Sequence, residues 1–211
     1  MSVVNTAVDT NSKGGPIADF AFDESLIEWT VPKSDWLEIH DKNFDGVATS
    51  AYIFDAQGRV LLVQRAAHDS MPNLWETPGG AVDSGDSSIL AGCAREVREE
   101  VGLVARRMKR LVTEGEGRGK WSVFTNRSGT RVFCGFAFEV EVEEEPLGEG
   151  KGKGVEVVLD PEEHQTFCWA GEEDVRRGVV GGRRIALSCL MVRNRLMEAF
   201  RLRREDGVDG V

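Results

Sequence analysis

Residues 79–103, GGAVDSGDSSILAGCAREVREEVGL, decide the fold of this chain. Apolar residues in the second half of the stretch recur at spacings of three, four and seven, which predicts a helix with two faces. At about 100° per residue, the apolar face centres near Val97, and Glu96, Glu99 and Glu100 occupy an adjoining arc. We therefore expect three carboxylates to point into one small volume.

The acidic arc requires a positive charge to balance it. Like charges at spacings of three and four destabilise an isolated helix, and crowding raises the free energy of ionising all three groups together. Arg95 can reach Glu99 at a spacing of four, but one guanidinium does not neutralise three carboxylates. A hard divalent cation with oxygen ligands is the natural remaining partner. When the helix is considered alone, the alternative to a metal site is an ordinary charged face that is exposed to solvent.

Turn and capping residues flank the helix. Residues 77–80, Thr-Pro-Gly-Gly, form a turn signal directly after an apolar run. Ser87 or Ser88 is a suitable N-cap, and Gly102 stands where a left-handed residue is expected to end the helix. A glycine loop, an acidic helix and a glycine stop together indicate a compact metal-binding unit, which favours the cation over the solvated face.

The stretch resembles the signature box of the Nudix hydrolases. In that family a glycine-led loop leads into a helix with Arg-Glu, a hydrophobic residue, any residue, Glu-Glu, any residue, Gly and a hydrophobic residue. REVREEVGL at 95–103 matches every fixed position. The first half departs from the family pattern, which has a glutamate at a fixed distance from both ends of this half. Counting forward from Gly80 places that glutamate at Asp86, whereas counting back from Arg95 places it at Ser87. We expect Asp86 to replace that glutamate and to support the loop.

The resemblance implies hydrolysis of a diphosphate bond by a metal-activated water. The implied metal is Mg²⁺, with Mn²⁺ as an alternative, and its implied ligands are three carboxylates and one backbone carbonyl: Glu96, Glu99, Glu100 and Gly79. Arg95 is expected to orient Glu99, the first choice as general base, with Glu96 or a late acid such as Glu163 as rivals. A catalytically weak Nudix-fold module that senses a nucleotide or binds a protein is the alternative function.

Three residues outside the box are predicted to bind substrate: Arg65, Trp75 and Arg131. By resemblance, Arg65 can meet a phosphate at the end of a strand, and Trp75 can pack against a base. A rim salt bridge for Arg65 and a hydrophobic plug for Trp75 are the alternatives. Arg131 belongs to a local basic patch that suits an anionic substrate, although such residues can equally be ordinary solvated positions.

Substrate markers of several Nudix subfamilies are missing from the sequence. The proline of ADP-ribose-type members and the tyrosine of diadenosine-polyphosphate-type members are replaced by Arg118, Gly119 and Lys120, and the upstream coenzyme A signature is not found. By elimination, the preferred substrate is a nucleoside triphosphate or a nucleoside diphosphate derivative.

Composition narrows the class of protein. The net charge of −10 argues against binding of extended nucleic acid, whose affinity depends on neutralising many phosphates. Four widely separated cysteines fit neither a zinc site nor a disulfide framework. No secretory signal or membrane-spanning stretch is recognisable. We expect a cytoplasmic protein, with the nucleus as an alternative, that is a monomer or homodimer and binds a small nucleotide or diphosphate substrate without a membrane.

The predicted fold is α/β, a Nudix-like α/β/α sandwich around a mixed β-sheet. The predicted parts are a disordered tail at 1–16, an extension at 17–46 that packs on the domain, the Nudix domain with its C-terminal helix at 47–204, and a disordered tail at 205–211. The extension can instead contact a second subunit, or cap the substrate through Trp29 or Trp36.

Periodicity predicts the main elements of the domain. A hairpin joins strands 47–55 and 60–65, and further strands are expected at 105–113, 120–125, 131–142, 155–159 and 166–169. A charged glycine-rich loop is expected at 143–154, a short helix from Glu172, and a long amphipathic helix at 184–204.

Overall fold

The computed structural model describes residues 20–146 and 153–208. The predicted tail at 1–16 lies outside this part of the chain. The strands are β1 Ala21–Phe22, β2 Gly46–Ile53, β3 Val60–Arg65, β4 Trp75–Glu76, β5 Ala105–Leu111, β6 Ser122–Thr125, β7 Val132–Val142, β8 Glu145–Pro146, β9 Lys153–Gly154, β10 His164–Ala170, β11 Val179–Val180 and β12 Arg183–Arg184. The helices are a 3₁₀ helix Glu24–Trp29, α1 Lys33–Ile39, α2 Ile89–Val101, α3 Glu172–Arg177 and α4 Leu190–Val208.

Two sheets form the middle of the molecule. The larger sheet has the order β1-β5-β7-β2, with β6 also paired to β7. It is mixed, because β1 is parallel to β5 and β2 is parallel to β7, whereas β5 and β6 are antiparallel to β7. The smaller sheet, β10-β3-β4, is antiparallel.

Helices cover both faces of this β structure. On β3, Leu61 and Val63 belong to a core cluster with the buried face of α2, whereas Val60 and Leu62 belong to a second cluster with α3 and α4. Alternate residues of a strand point to opposite faces, so β3 lies between two helical layers. The predicted α/β/α sandwich around a mixed sheet is therefore confirmed.

Residues before β2 contribute to the first of these cores. Leu26, Trp29 and Trp36 are almost completely buried, and the ring centroid of Trp29 lies 5.8 Å from those of both Phe136 and Phe138. These edge-to-face contacts place the residues around the 3₁₀ helix and α1 against the central strand β7.

Several predicted elements differ from the structure. A tight turn follows β2 and leads into β3, where Phe54 pairs with Val60 and the Asp55 amide donates to the Arg59 carbonyl (2.9 Å), but the two strands then enter different sheets. Residues 155–159, predicted as a strand, form none, because the Val158 amide is bonded to the Val101 carbonyl at the end of α2 (3.0 Å).

The C-terminal helix is also displaced from its predicted limits. Arg184, predicted as its first residue, pairs with Val179 in the small hairpin of β11 and β12, and α4 begins only at Leu190. It continues to Val208, beyond the predicted end at Arg204, and residues 209–211 lie outside the described residues. In the predicted glycine-rich loop, β8 pairs with β9, and residues 147–152 between them are likewise not described.

Among the described residues, no helix is both long enough and apolar enough to cross a membrane.

Candidate active site

Helix α2 has the two ends that the sequence predicts. The Ser88 hydroxyl oxygen accepts a hydrogen bond from the Ala91 amide (3.0 Å), which satisfies one of the free N–H groups of the first turn. Gly102 ends the helix in the left-handed conformation, at φ 69°. The apolar face is buried against the central sheet, so the acidic arc is left at the edge of the core.

The loop before α2 is held against strand β2. The Thr49 amide donates to the Gly80 carbonyl (2.8 Å), and the Ala51 amide donates to the Pro78 carbonyl (2.7 Å). Gly79 has φ +147°, and a Cβ at this position would lie 2.2 Å from the Thr49 carbonyl oxygen. Only glycine permits this approach, because both the conformation and the space exclude a side chain.

A direct bond connects the loop to the carboxylate helix. The Gly79 amide donates to Oε2 of Glu100 (2.8 Å), and Glu100 is 4% exposed. Burial raises the pKa of the Glu100 carboxyl to about 9, although the Gly79 amide opposes that shift. Burial also raises the pKa of Glu96. Two of the three carboxyl groups therefore lie where ionisation requires additional positive charge.

Arg95 contacts the other two carboxylates. Its guanidinium lies 2.9 Å from Oε1 of Glu96 and 2.7 Å from Oε2 of Glu99. The Glu99 side chain is 59% exposed and that of Glu96 only 12%, so Glu99 is the more accessible of the pair. The ion pair predicted between Arg95 and Glu99 is present.

Asp86 anchors Arg95 from the opposite side. Its two carboxylate oxygens accept from Nε (3.0 Å) and Nη2 (3.1 Å) of Arg95, and Oδ2 also accepts from the Asp83 amide (2.7 Å). Arg95 in turn donates to the Ala81 carbonyl (2.8 Å). The loop-supporting role expected for Asp86 agrees with these contacts. A Cβ on Gly92 would lie 2.8 Å from Oδ2 of Asp86, so a glycine in α2 leaves room for this carboxylate.

Two residues that are distant in sequence lie near Glu100. They are Glu163, which directly precedes β10, and His164, the first residue of β10. Ligand atoms of Glu100, Glu163 and His164 lie within 4.8 Å of one another. The segment before β10 is bonded to the end of α2, since the Asp160 amide donates to the Glu100 carbonyl (3.0 Å). Sequence reasoning named Glu163 only as a rival base and did not include His164, because no local spacing relates either residue to the helix.

The three predicted substrate-binding residues lie in different surroundings. The Arg65 guanidinium contacts the carboxylates of Glu76 and Asp69, as in the rim salt bridge considered above. Trp75 is 1% exposed, and the Arg183 guanidinium lies 5.1 Å from its ring centroid. Arg131 is exposed in the turn between β6 and β7. Substrate binding by these residues stays a prediction.

The sequence was compared with family models and known proteins. The NUDIX domain model matches residues 45–187. Over 55 residues the chain is 42% identical to the CTP pyrophosphohydrolase of Escherichia coli strain K12. This match covers 26% of the chain and 40% of that enzyme, so it spans less than half of the relative's length.

Solved structures resemble the fold over most of the chain. The MutT protein from Methanosarcina mazei Go1 aligns with a TM-score of 0.54 at 21% identity, covering 76% of this chain and 94% of that one. The NUDIX domain of Shewanella oneidensis NrtR, solved with ADP ribose, aligns with a TM-score of 0.52 at 17% identity, covering 82% and 99%. At these identities the similarity shows the fold alone.

Proposed function

The chain belongs to the NUDIX family, and from this premise we propose that it is a metal-dependent hydrolase that cleaves a diphosphate bond in a nucleoside triphosphate or nucleoside diphosphate derivative. The observation that supports the proposal is the pair of contacts made by one helix: Glu96 and Glu99 share the Arg95 guanidinium, and Glu100 accepts a hydrogen bond from the Gly79 amide of the glycine loop.

The residues at this position suit a hard divalent cation. Carboxylate oxygens are the preferred ligands of Mg²⁺, and Mn²⁺ accepts the same donors. A Cβ on Gly80 would lie 2.6 Å from Oε2 of Glu96, so the absence of a side chain leaves space around that oxygen. The proposed ligands are Glu96, Glu99, Glu100 and the Gly79 carbonyl. When bound, the ion supplies a water of lowered pKa and offsets negative charge on the phosphates.

Proton transfer from the attacking water is assigned to Glu99. Its carboxylate is accessible, and the bond from Arg95 restricts its orientation, as a general base requires. Glu163 is the rival, because it is exposed and lies beside Glu100. Glu96 is less suited to this step, since its side chain is largely buried.

The local match to CTP pyrophosphohydrolase makes a nucleoside triphosphate the first substrate to test. The protein would be incubated with CTP, the other nucleoside triphosphates and several nucleoside diphosphate derivatives, with Mg²⁺ or Mn²⁺. Release of nucleoside monophosphate with pyrophosphate, or of nucleoside diphosphate with phosphate, would be measured. We expect metal-dependent release from at least one compound. Metal binding without release from any of them would favour the nucleotide-sensing module.

Calorimetric titration with Mg²⁺ tests the site without a substrate. We expect Glu100→Gln to weaken binding markedly, because the substitution removes a proposed ligand charge. Glu173→Gln is the control, since Glu173 also pairs with an arginine on a helix (2.7 Å to Arg177) but lies on α3. Equal Mg²⁺ affinity in wild type and Glu100→Gln would contradict the assigned site.

A further inference from the structure

The segment before the family match contacts the loop and the helix that carry the proposed metal ligands. The N-terminal extension, here residues 20–44, lies outside the range 45–187 that the NUDIX model covers. Its Val31 carbonyl accepts a hydrogen bond from the amide of Ile89, the first residue of α2 (3.0 Å). The extension therefore contacts the carboxylate helix at the end where the glycine loop enters it.

Lys33, the first residue of α1, contacts the loop itself. Its half-buried side chain donates from Nζ to the Val82 carbonyl. The side chain of Val82 is buried, and its amide is bonded to the Val47 carbonyl (2.9 Å). Two cations from different parts of the chain thus hold adjacent loop carbonyls, Arg95 at Ala81 and Lys33 at Val82.

This arrangement connects Lys33 to the carboxylates. Arg95 shares its donors between the loop carbonyl of Ala81 and the carboxylates of Glu96 and Glu99. A displaced loop would therefore change the position of the guanidinium that orients both acids. Hydrogen bonds from a charged donor are stronger than neutral ones, so the Lys33 bond is a substantial restraint on a short loop.

We propose that Lys33 is a positioning residue of the metal site, which fixes the loop at Val82 and thereby the orientation of the Glu96 and Glu99 carboxylates. This inference rests on the proposed function in so far as the loop and helix bind a metal. With Lys33 in this role, the N-terminal extension contributes to the function of the metal site and also covers the hydrophobic core.

A second lysine supplies a matched control. Lys120 also joins the extension to the domain, through Glu28 and the face of Trp29, with its Nζ 5.4 Å from the ring centroid. The contacts described for Lys120 do not include the loop at 79–88. Substitution of either lysine removes one contact between the extension and the domain, but only substitution of Lys33 should weaken metal binding at the proposed site.

The experiment compares wild type with Lys33→Met, Lys33→Arg and Lys120→Met. Mn²⁺ affinity is measured by calorimetry, and loop order is measured by hydrogen exchange at the Asp83 and Asp86 amides. We expect Lys33→Met to bind Mn²⁺ about tenfold more weakly, as is typical when a group supporting metal ligands is lost, and to exchange faster. Lys33→Arg should restore most of both properties, and Lys120→Met should resemble wild type. Circular dichroism confirms that each variant is folded.

Two results would overturn the proposal. One is unchanged Mn²⁺ affinity and unchanged loop exchange in Lys33→Met, and the other is an equal loss in Lys120→Met, which would indicate a general tether. If wild type binds no Mn²⁺, the proposed function fails, and loop exchange alone then decides whether Lys33 holds the loop. If wild type binds Mn²⁺ but hydrolyses nothing, the binding comparison still decides the role of Lys33.

Discussion

Arg95 is the residue on which the geometry of the acidic arc depends. It contacts Glu96 and Glu99 on its own helix, Asp86 in the preceding loop and the Ala81 carbonyl. A guanidinium presents five donors in a rigid plane, so one arginine can hold several oxygens at fixed angles. Lysine at this position would keep the charge and lose that geometry.

Glu99→Gln tests the proposed general base. Glutamine keeps the size of the side chain but cannot accept a proton at neutral pH, so we expect kcat to fall by about 10²- to 10⁴-fold. The rate of diphosphate hydrolysis measures this effect, and Glu173→Gln serves as the control at an exposed helical Glu-Arg pair. Unchanged turnover in Glu99→Gln would remove Glu99 from the mechanism and direct attention to Glu163.

Gly80→Ala tests the space around Glu96. The new Cβ would lie 2.6 Å from Oε2 of Glu96, which must then move by several tenths of an ångström. Misplacing a reacting group by about 1 Å can cost about 10²-fold in rate, so we expect a loss of that order in kcat. The thermal midpoint should change little, because the displaced atom ends a flexible side chain.

Gly85→Ala is the matched control in the same loop, since a Cβ there would have no heavy atom within 4 Å. Its hydrolysis rate should equal that of wild type. A similar loss of rate in both variants would show that the loop backbone, and not the space beside Glu96, is responsible.

At the scale of elements, α4 is joined to the central sheet by charged groups. Glu139 on β7 is 1% exposed and accepts from Arg203 of α4 (2.6 Å), while Arg110 of β5 lies 3.0 Å from its other oxygen. One turn further along α4, Asp206 contacts both Arg110 and Lys109. These contacts explain why the helix continues beyond Arg204, where the sequence suggests fraying.

Asp206→Asn tests the end of α4 through its pH dependence. Partial burial raises the pKa of Asp206, but hydrogen bonds from Arg110 and Lys109 outweigh it and hold the pKa below its usual value. A lowered pKa means that the stabilisation is present above the pKa of the unfolded chain and is lost as pH falls through the folded pKa. Because the pair is partly exposed, we expect a loss of at most about 1 kcal/mol at pH 7.

Urea unfolding at pH 7 and near pH 3 measures this difference. The gap between wild type and Asp206→Asn should shrink at the lower pH, where the carboxylate becomes protonated. Glu205→Gln is the control, because Glu205 pairs with Arg201 on its own helix. A gap that is equal at both pH values would contradict the ion-pair explanation.

At the scale of the whole molecule, the N-terminal extension and the family domain share one core. Trp29 and Trp36 belong to the same cluster as Val97 of α2 and Phe136 of β7. A domain whose central cluster includes these rings should unfold together with them, since cooperative units follow contiguous packing.

Trp29→Ala should therefore destabilise the entire molecule. Truncation of a large buried aromatic residue costs about 3–5 kcal/mol, so the midpoint of urea unfolding should fall in a single transition. Ile27→Ala, in the same 3₁₀ helix but 60% exposed, is the control and should have little effect. A separate early transition of the extension in the tryptophan variant would show that it is an independent appendage.

The spacing of residue types along the sequence was sufficient to predict α2, the positions of its ends and the central strands. Ser88 and Gly102 act within a few residues of their own positions, and the alternation along β7 reports directly on burial. The pattern at 155–159 predicts a strand that does not form, because an extended apolar segment can satisfy its backbone hydrogen bonds at a helix end as well as in a sheet. Helical spacing predicts the start of α4 too early, because it does not show that a hairpin precedes the helix.

The sequence by itself determined the carboxylate helix, because spacings of three and four place Glu96, Glu99 and Glu100 on one arc whatever surrounds it. Only the tertiary structure decided which distant groups join them. Lys33 meets Val82 across 49 positions, and Glu163 meets Glu100 through a segment bonded to the end of the helix. Such contacts depend on strand pairing and on packing of the core, which no local spacing encodes.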